Sequence, residues 1–373
     1  MKFVKFNNPA LDNFNFGSIV DLNKRSNYST LGHYSEKCSL FLKKKLKVKK
    51  VLMTKSCTAA LEMAAILLKI KTNDEVIFPS YSYVSTINSF VMRGAKPKFA
   101  DIDKNNLCID LDSLENKLSS KTKAVVITNY AGGSCDLARL IKLKKKYKFY
   151  LVEDCAQSLF SKFKNKNLGT FGDLSTISFH QTKNIHCGED IVFCKGTNRI
   201  LFEKGKVEKY TWQDLGSSFA LSELHAIILN HSFKIYKKSF LKREKIWNSY
   251  HNKLKKLQDD GQIRRPIFQQ DITHNCHLYY ILVKKNLRDK LIKYLKKNSI
   301  ITAFHYQALH KSKYFKKKYN QNLKLLNSEN IQNQIIRLPL SHKMNLKDVN
   351  YVVKKIEKFF SKNGTFSRIN TVH

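Results

Sequence analysis

The segment STISFHQTKN, residues 175–184, contains a lysine whose neighbours suggest chemistry. Lys183 follows an apolar, β-branched run, with Ser178 five positions and His180 three positions before it. Lysine is normally a solvated surface residue. A lysine held among apolar and cationic neighbours instead keeps part of its amine uncharged, and a neutral amine can attack an aldehyde. Lys183 is therefore a candidate nucleophile.

Other polar residues follow apolar runs earlier in the chain. Ser56, Cys57 and Thr58 open a predicted helix, where they either cap it or cradle a phosphate with its first N–H groups. Asp154 is either a polar strand end or a carboxylate that pairs with a ring nitrogen. Tyr83 is either a core aromatic or a ring that stacks on a planar ligand. Taken with the candidate lysine, these features describe a pyridoxal phosphate site.

The elements that must position these residues alternate between short strands and helices. From residue 50 to about 180, the predicted strands are KVLMT, DEVIFPS, KPKFADI, KAVVITNY, FYLVEDCAQS and LSTISFH. Helices of ten or more residues between such strands indicate βαβ units and a mainly parallel sheet, so the fold class is α/β. Ligands bind at the carboxyl ends of strands in such sheets, where the candidate residues stand.

The later part of the chain has a different pattern. Long helical stretches appear after residue 230, and they are followed by the predicted strands NCHLYYILVKK and ITAFHYQALH. We therefore predict a large α/β domain that binds the coenzyme over residues 1–235 and a small α+β domain with a polar tail over residues 236–373.

The composition excludes some classes of function but does not identify one. The chain has 373 residues and 42% apolar content, with 68 Lys and Arg against 29 Asp and Glu, a net charge of +39. This charge attracts any polyanion, but no nucleic-acid-binding module is recognisable, and many of the lysines fill the outer faces of predicted helices. A basic nucleic-acid-binding protein is kept as an alternative from another class.

The cysteines and the apolar runs indicate whether a metal site, an oxidising compartment or a membrane segment is to be expected. The eight cysteines include no CxxC pair, which favours free thiols and the cytoplasm. His186, Cys187 and Cys194 have irregular spacing, so no metal site is predicted. The amino-terminal segment has no signal-peptide core, and AALEMAAILLKI is too short to span a bilayer, so no membrane partner is expected.

Five motifs carry a resemblance to a known family. SCTAALEMAA, DEVIFPSYSYVST, VEDCAQ, SFHQTKN and the run from KGTNR to YTWQDLGSS resemble the DegT/DnrJ/EryC1/StrS family of nucleotide-sugar aminotransferases. The similarity extends from VKFNNPA to IIRLPLSHKMN. It implies the type I fold of enzymes dependent on pyridoxal 5'-phosphate (PLP), with a mainly parallel central sheet, helices on both faces and a smaller C-terminal α+β domain. A homodimer is also implied.

The resemblance also assigns roles to residues. Lys183 matches the lysine that forms the Schiff base with the coenzyme and moves the proton. Asp154 matches the acid at the pyridinium nitrogen, and Gln157 the amide near the phenolic oxygen. Tyr83 stands where an aromatic stacks on the ring. The phosphate contacts match Cys57, Thr58 and Ser178.

The implied substrates are glutamate as amino donor and a dTDP-4-keto-6-deoxy sugar as acceptor. One departure from the family lies after Lys183, where NIHCGEDIVFCKGTNR leaves room for a strand in DIVFCK but not for the helix that normally follows it. This shortened segment, residues 188–196, supports a second alternative, a degenerate member with weak or no activity.

Overall fold

The protein is described from a computed structural model over residues 3–9, 11–25, 28–187 and 217–362, with the backbone alone for residues 191–193. The α-helices of these residues are α1 Gly17–Lys24, α2 His33–Leu46, α3 Cys57–Leu67, α4 Val84–Val91, α5 Leu111–Glu115, α6 Leu137–Tyr147, α7 Glu223–Lys253, α8 Lys255–Asp259, α9 Lys285–Lys297, α10 Lys313–Tyr319, α11 Leu326–Ile331 and α12 Leu346–Lys362. Short 3-10 helices occupy Tyr130–Gly132 and Leu309–Lys311.

The strands of the described residues form three sheets. Their bounds are β1 Glu75–Pro79, β2 Lys96–Ala100, β3 Thr122–Thr128, β4 Tyr150–Asp154, β5 Lys162–Phe163, β6 Lys166–Asn167, β7 Leu174–Ile177, β8 Ile191–Phe193, β9 Ile263–Arg264, β10 Ile272–Thr273, β11 Tyr279–Val283 and β12 Ile335–Leu338. The central sheet has the order β2-β1-β3-β4-β7-β8, and the smaller sheets have the orders β10-β5-β6 and β12-β11-β9.

The central sheet is parallel from β2 to β7, and β8 pairs with β7 antiparallel. All five residues of β1 are buried, and its side chains alternate between two cores. Ile77 packs in the core that contains α2 and α6, whereas Val76 and Phe78 pack in the core that contains α3 and α4. Helices therefore cover both faces, which explains the continuous apolar strands and confirms the predicted α/β class.

The parallel register brings the carboxyl ends of the strands to one edge. Thr128 of β3 lies beside Asp154 of β4, which in turn lies beside Thr176 of β7. Because β1 runs in the same direction, the segment after Pro79 that leads into α4 reaches the same edge. The candidate residues that follow these strands are thus neighbours in space.

A buried carboxylate stabilises the loop that leads from β6 into β7. Glu153 in β4 accepts backbone N–H bonds from Gly169 at 2.8 Å and from Phe171 and Gly172 at 2.7 Å each, and an amide N–H from Asn129 at 3.3 Å. Since the side chain is fully buried, these donors replace the water that an ionised carboxylate would otherwise require.

Two predicted strands are not strands. KVLMT, residues 50–54, makes only isolated bridges, because its backbone bonds go to the segment that precedes α7: Lys55 N–H donates to Phe219 O at 2.7 Å, and Leu221 N–H donates to Met53 O at 3.1 Å. ITAFHYQALH, residues 301–310, is irregular, because Ala303 pairs with β12 and Ala308 pairs with the residues after β1. We call residues 303–308 the crossing segment.

The C-terminal part has its own core, built from α7, α9, α12 and the sheet β12-β11-β9. Helix α7 joins this core to the central sheet, since its Phe233 packs in the core with α2 and its Ile246 packs in the C-terminal core. The predicted boundary at residues 235 and 236 falls within this helix, and the division into domains stays a prediction. Over the described residues, no helix combines the length and the apolar character that crossing a membrane requires.

Candidate active site

A cavity of about 320 Å³ opens at the carboxyl edge of the central sheet. All of the predicted site residues line it: Cys57, Thr58, Tyr83, Asp154, Gln157, Ser178 and Lys183. Gln157, Ser178 and Lys183 also line a second cavity, of about 770 Å³, so the two cavities meet at the lysine. The structure therefore brings the seven residues together, and the roles assigned to them remain predictions.

Lys183 lies in a loop held at several points. Its backbone N–H donates to His180 O at 2.8 Å, and Cys187 N–H donates to Phe179 O at 2.8 Å, which closes the loop at its base. The next residue, Asn184, donates from its side-chain amide to Asn275 O at 2.8 Å. The lysine side chain is only partly exposed. These contacts fix the backbone from which the amine reaches the cavity.

Asp154 ends β4 as a buried carboxylate, 3% exposed. One carboxylate oxygen accepts the hydroxyl of Thr86 at 2.6 Å, and the other accepts Ala156 N–H at 3.1 Å. Hydrogen bonds to a charged acceptor are strong, and these two stabilise the ionised form and fix its orientation. A buried carboxylate held in this way suits a cationic ring nitrogen. Thr86 stands on the first turn of α4 and was not among the predicted residues.

The amino terminus of α3 lies at the same cavity. Ser56 caps the helix, and its hydroxyl oxygen accepts Ala59 N–H at 2.9 Å, as the sequence predicts. The helix begins at Cys57, and Cys57 and Thr58 line the cavity. The first N–H groups of a helix have no intrahelical acceptor and attract anions. Ser178, 5% exposed, supplies a hydroxyl in the same cavity. The arrangement fits a phosphate.

Aromatic rings and an amide form another part of the lining. Tyr83 is 54% exposed, and its ring centroid lies 5.9 Å from that of Tyr306 in the crossing segment. Gln157 donates from its amide nitrogen to the Tyr306 hydroxyl at 2.8 Å, and its amide oxygen accepts Ala131 N–H at 2.8 Å. Both ends of the amide are thus held. Burial raises the pKa of Tyr306 above its usual value, so its hydroxyl keeps its proton.

The C-terminal part supplies cavity residues that the sequence did not predict: His277, His305, Tyr306 and Arg337. His277 Nδ1 lies 3.1 Å from Asn184 Oδ1, and since an amide oxygen only accepts, this ring nitrogen carries the proton. Burial lowers the pKa of His277 well below its usual value, with smaller contributions from the charges of Lys183, Arg337 and Arg243. Its imidazole is therefore neutral. For His305 and Tyr306, the sequence offered one signal, the polar pair HY within the otherwise apolar run ITAFHYQALH.

A glycine allows the tight packing behind the lysine loop. Gly132 has φ of +91°, and a Cβ there would lie 2.5 Å from Oδ1 of Asn275. Asn275 is the residue whose carbonyl accepts the Asn184 amide, so the glycine indirectly supports the position of Lys183.

The remaining expectations concern metals and the shortened segment. Among the described residues, no group of three His, Cys, Asp or Glu side chains could hold a metal ion. Cys194 lies outside the described residues, as do residues 188–190 and 194–196 of the shortened segment. The strand predicted within DIVFCK is present as β8.

Comparison with solved structures identifies the architecture as the type I aminotransferase fold. The protein matches Helicobacter pylori PseC, an aminotransferase involved in the biosynthesis of pseudoaminic acid, with a TM-score of 0.88 and 25% identity over 97% of this chain and 100% of that chain.

The chain belongs to the DegT/DnrJ/EryC1/StrS aminotransferase family, whose model matches residues 10–357. The cofactor of this family is pyridoxal 5'-phosphate. An uncharacterised protein of Methanocaldococcus jannaschii is 30% identical over 378 residues, which cover 95% of this chain and 97% of that protein. The UDP-4-amino-4-deoxy-L-arabinose–oxoglutarate aminotransferase of Shewanella sediminis is 27% identical over 96% of this chain and 98% of that protein.

Proposed function

We propose that the chain is a PLP-dependent nucleotide-sugar aminotransferase that moves an amino group from glutamate to the 4-keto group of a dTDP-4-keto-6-deoxy-hexose. The proposed product is dTDP-4-amino-4,6-dideoxygalactose, for surface polysaccharide synthesis. The observation that carries the proposal is the meeting of Lys183, Asp154 and the amino terminus of α3 in one cavity. The name of the Shewanella relative, which pairs a UDP sugar with oxoglutarate, supports a nucleotide sugar and glutamate as the two substrates, whereas dTDP and the 4-keto-6-deoxy sugar are the proposal's own choice.

The cavity residues fit the coenzyme by the chemistry of their donors and acceptors. The helix start at Cys57 and Thr58, with the Ser178 hydroxyl, would hold the phosphate. Asp154 would pair with the ring nitrogen, and Gln157 would lie near the phenolic oxygen. When bound, the coenzyme supplies an aldehyde that carries the amino group between the substrates and a ring that takes up the electron pair released at carbon.

The protein's own contribution to the reaction is orientation and proton transfer. The amine of Lys183, freed when the donor binds, would take the proton from the donor's α-carbon and deliver it to the coenzyme. Its loop is held by Asn184 and Asn275, so the amine starts from a fixed backbone. The Tyr83 ring at the cavity mouth would cover one face of the bound ring and exclude water from it.

The second cavity suits the nucleotide part of the acceptor. It holds about 770 Å³ and meets the first cavity at Lys183, where the sugar ketone must lie. Several lysines line its wall: Lys45, Lys47, Lys162, Lys164 and Lys166. Among the described residues that line this cavity there is no Asp or Glu. A lysine-lined cavity favours a diphosphate through electrostatic attraction.

We also propose a homodimer and a cytoplasmic location. The amino-terminal part exposes large apolar side chains, among them Phe16 at 72%, Val20 at 58% and Leu31 at 78%. Clusters of exposed apolar side chains are typical of surfaces that pack against another chain. A second copy of this chain would cover them, and analytical ultracentrifugation would measure the dimer.

A visible spectrum, recorded with and without glutamate, tests the central proposal. The purified protein is expected to be yellow with added PLP, to lose the yellow band when glutamate is added, and to regain it with a dTDP-4-keto-6-deoxy sugar. Lys183→Ala should lack the band, whereas Lys142→Ala, on the surface of α6, should keep it. Matched dTDP and UDP keto sugars would test the choice of nucleotide.

Two other outcomes would favour the alternatives. A protein that becomes yellow but leaves the keto sugar unchanged is the degenerate member. A protein that stays colourless in excess PLP and binds DNA with a steep salt dependence is the basic nucleic-acid-binding protein.

A further inference from the structure

A serine, a histidine and a glutamate form a chain of hydrogen bonds. Nδ1 of His310 lies 2.6 Å from the hydroxyl oxygen of Ser80, and its Nε2 lies 3.1 Å from Oε1 of Glu329. Ser80 and His310 are buried, and none of the three residues lines the two cavities that meet at Lys183. No substrate reaches a hydroxyl buried in this way, so the arrangement is not a nucleophilic triad. We call Ser80, His310 and Glu329 the polar clasp.

The direction of each hydrogen bond in the polar clasp is defined. Burial raises the pKa of Glu329, but hydrogen bonds from His310 and from the Lys311 ammonium, 3.1 Å away, outweigh it and lower the pKa to about 2. An ionised carboxylate only accepts, so Nε2 of His310 donates to it. Burial lowers the pKa of His310 more than Glu329 raises it, so the ring is neutral and Nδ1 accepts the Ser80 hydroxyl.

The glutamate end of the polar clasp is anchored to the central sheet through α11. Asp101, which directly follows β2, accepts Ser328 N–H at 2.8 Å and Asn327 N–H at 2.9 Å in the first turn of that helix. These N–H groups have no intrahelical acceptor, so the carboxylate of Asp101 fixes the start of α11. Glu329 is the next residue, and its Oε1 also accepts Leu325 N–H at 3.2 Å. Its carboxylate therefore has a fixed position.

The serine end of the polar clasp is anchored to β1. Ser80 directly follows this strand, where its N–H donates to Ala100 O at 3.0 Å and its carbonyl accepts Leu309 N–H at 2.9 Å. His310 is the next residue after Leu309. A backbone bond and a side-chain bond thus hold the end of the crossing segment at the carboxyl edge of the sheet.

Each of the two chain segments that meet at the polar clasp carries an aromatic ring of the smaller cavity. Tyr83 lies three positions after Ser80, and Tyr306 lies four positions before His310. Both tyrosines line the cavity, and their ring centroids are 5.9 Å apart. Because only two or three residues separate each tyrosine from the clasp, a shift of the clasp moves the rings as well.

We propose that His310 is a positioning residue for the aminotransferase reaction: by joining Ser80 to Glu329, it sets the separation of the two tyrosine rings and so the orientation in which the cavity holds the coenzyme. His310 lines neither cavity and acts through Tyr83 and Tyr306. A misplacement of about 1 Å can slow a reaction about a hundredfold. The inference rests on the proposed function, because it takes the smaller cavity to hold PLP.

Visible circular dichroism of the PLP-loaded protein tests the orientation apart from turnover. A ring held in one orientation by an asymmetric site gives a signal in the coenzyme band, and a ring that tilts gives a smaller signal per bound PLP. His310→Phe keeps a ring but removes both hydrogen bonds, so the signal per bound PLP should fall. The loss of the yellow band after addition of glutamate should also slow at least about tenfold.

Conservative variants divide the polar clasp into its two bonds. In His310→Asn, the side-chain oxygen can still accept the Ser80 hydroxyl, and in His310→Gln, the amide nitrogen can still donate to Glu329. Each should restore part of the signal that His310→Phe loses. Ser80→Ala removes one bond with little change of volume and decides the question if His310→Phe does not fold.

Ser39→Ala is the matched control. Its hydroxyl donates to Val51 O at 3.1 Å, and Ser39 lines neither of the two cavities. This variant also loses one hydrogen bond, and it should keep the circular dichroism per bound PLP and the rate with glutamate of the wild type.

A purely structural role predicts a different result. The variants of the polar clasp would then melt at lower temperature but keep the wild-type circular dichroism per bound PLP and the wild-type rate, and this outcome overturns the inference. The proposed function fails separately, if the wild type itself binds no PLP or does not react with glutamate.

Discussion

Two partly buried, neutral histidines in the C-terminal part predict that the protein loses stability in mild acid. The ring of His274 stacks on Phe268 with centroids 4.1 Å apart, and its Nδ1 accepts Cys276 N–H at 3.2 Å. His251 stacks on Trp247 at 4.7 Å. Burial, together with a nearby charge, lowers the pKa of each histidine from 6.5 to about 4. The charge is that of Arg265 for His251 and that of His251 for His274.

The direction and size of the stability change with pH follow from the difference in proton binding between the folded and unfolded chains. Between pH 6.5 and about pH 4, the unfolded chain binds a proton on His274 and the folded chain does not, so stability falls as pH falls through this window. At pH 5, the difference between the two states amounts to about 2 kcal/mol for His274. His251 is partly exposed, so solvent screening reduces its share to about 1 kcal/mol. Together they remove about 3 kcal/mol, a large part of a typical domain's stability.

Urea unfolding at pH 7.5 and pH 5.0, followed by tryptophan fluorescence, measures the loss. His274→Asn is the informative variant, because its side-chain oxygen can still accept Cys276 N–H while nothing titrates. The variant should be less stable at both pH values, since the stacking is lost. Its loss of unfolding free energy between pH 7.5 and pH 5.0 should be about 2 kcal/mol smaller than that of the wild type. An identical pH dependence for the variant and the wild type would refute the argument.

Three further predictions concern stability and the cavity. Glu153→Gln should lower the free energy of unfolding by about 3 kcal/mol, measured in urea, because an amide nitrogen would face backbone N–H donors. Tyr306→Phe should cost about 1–2 kcal/mol and weaken PLP binding in a fluorescence titration, because the Gln157 amide loses its acceptor. Gly132→Ala should lower the melting temperature and broaden the visible band, since a Cβ would push Asn275 away; Gly261→Ala, remote from the cavity, should leave the band unchanged.

Much of the central sheet was predictable from local pattern. DEVIFPS, KPKFADI, KAVVITNY, FYLVEDCAQS and LSTISFH each contain a strand of the sheet, because runs buried on both faces are continuously apolar. KVLMT is similarly apolar, but its described backbone bonds go to residues more than 160 positions later and not to the sheet. Composition alone does not distinguish these two environments.

The candidate site was predictable only in part. The predicted residues all follow strands or open helices of the first 183 positions, where the strand pattern locates the carboxyl edge. His277, His305 and Arg337 come from the C-terminal part, and the Gln157 to Tyr306 bond joins positions 149 apart. No local pattern reports such contacts, because they depend on how the crossing segment meets the sheet.

The distance along the chain between the walls of the smaller cavity has a consequence for biosynthesis. Cys57 leaves the ribosome long before Arg337, and both line that cavity. Because domains fold as the chain emerges, the sheet edge would form while the opposite wall is still untranslated. A nascent chain stalled before residue 337 would therefore present a half-open groove, with the residues assigned to the coenzyme already translated and the opposite wall still missing.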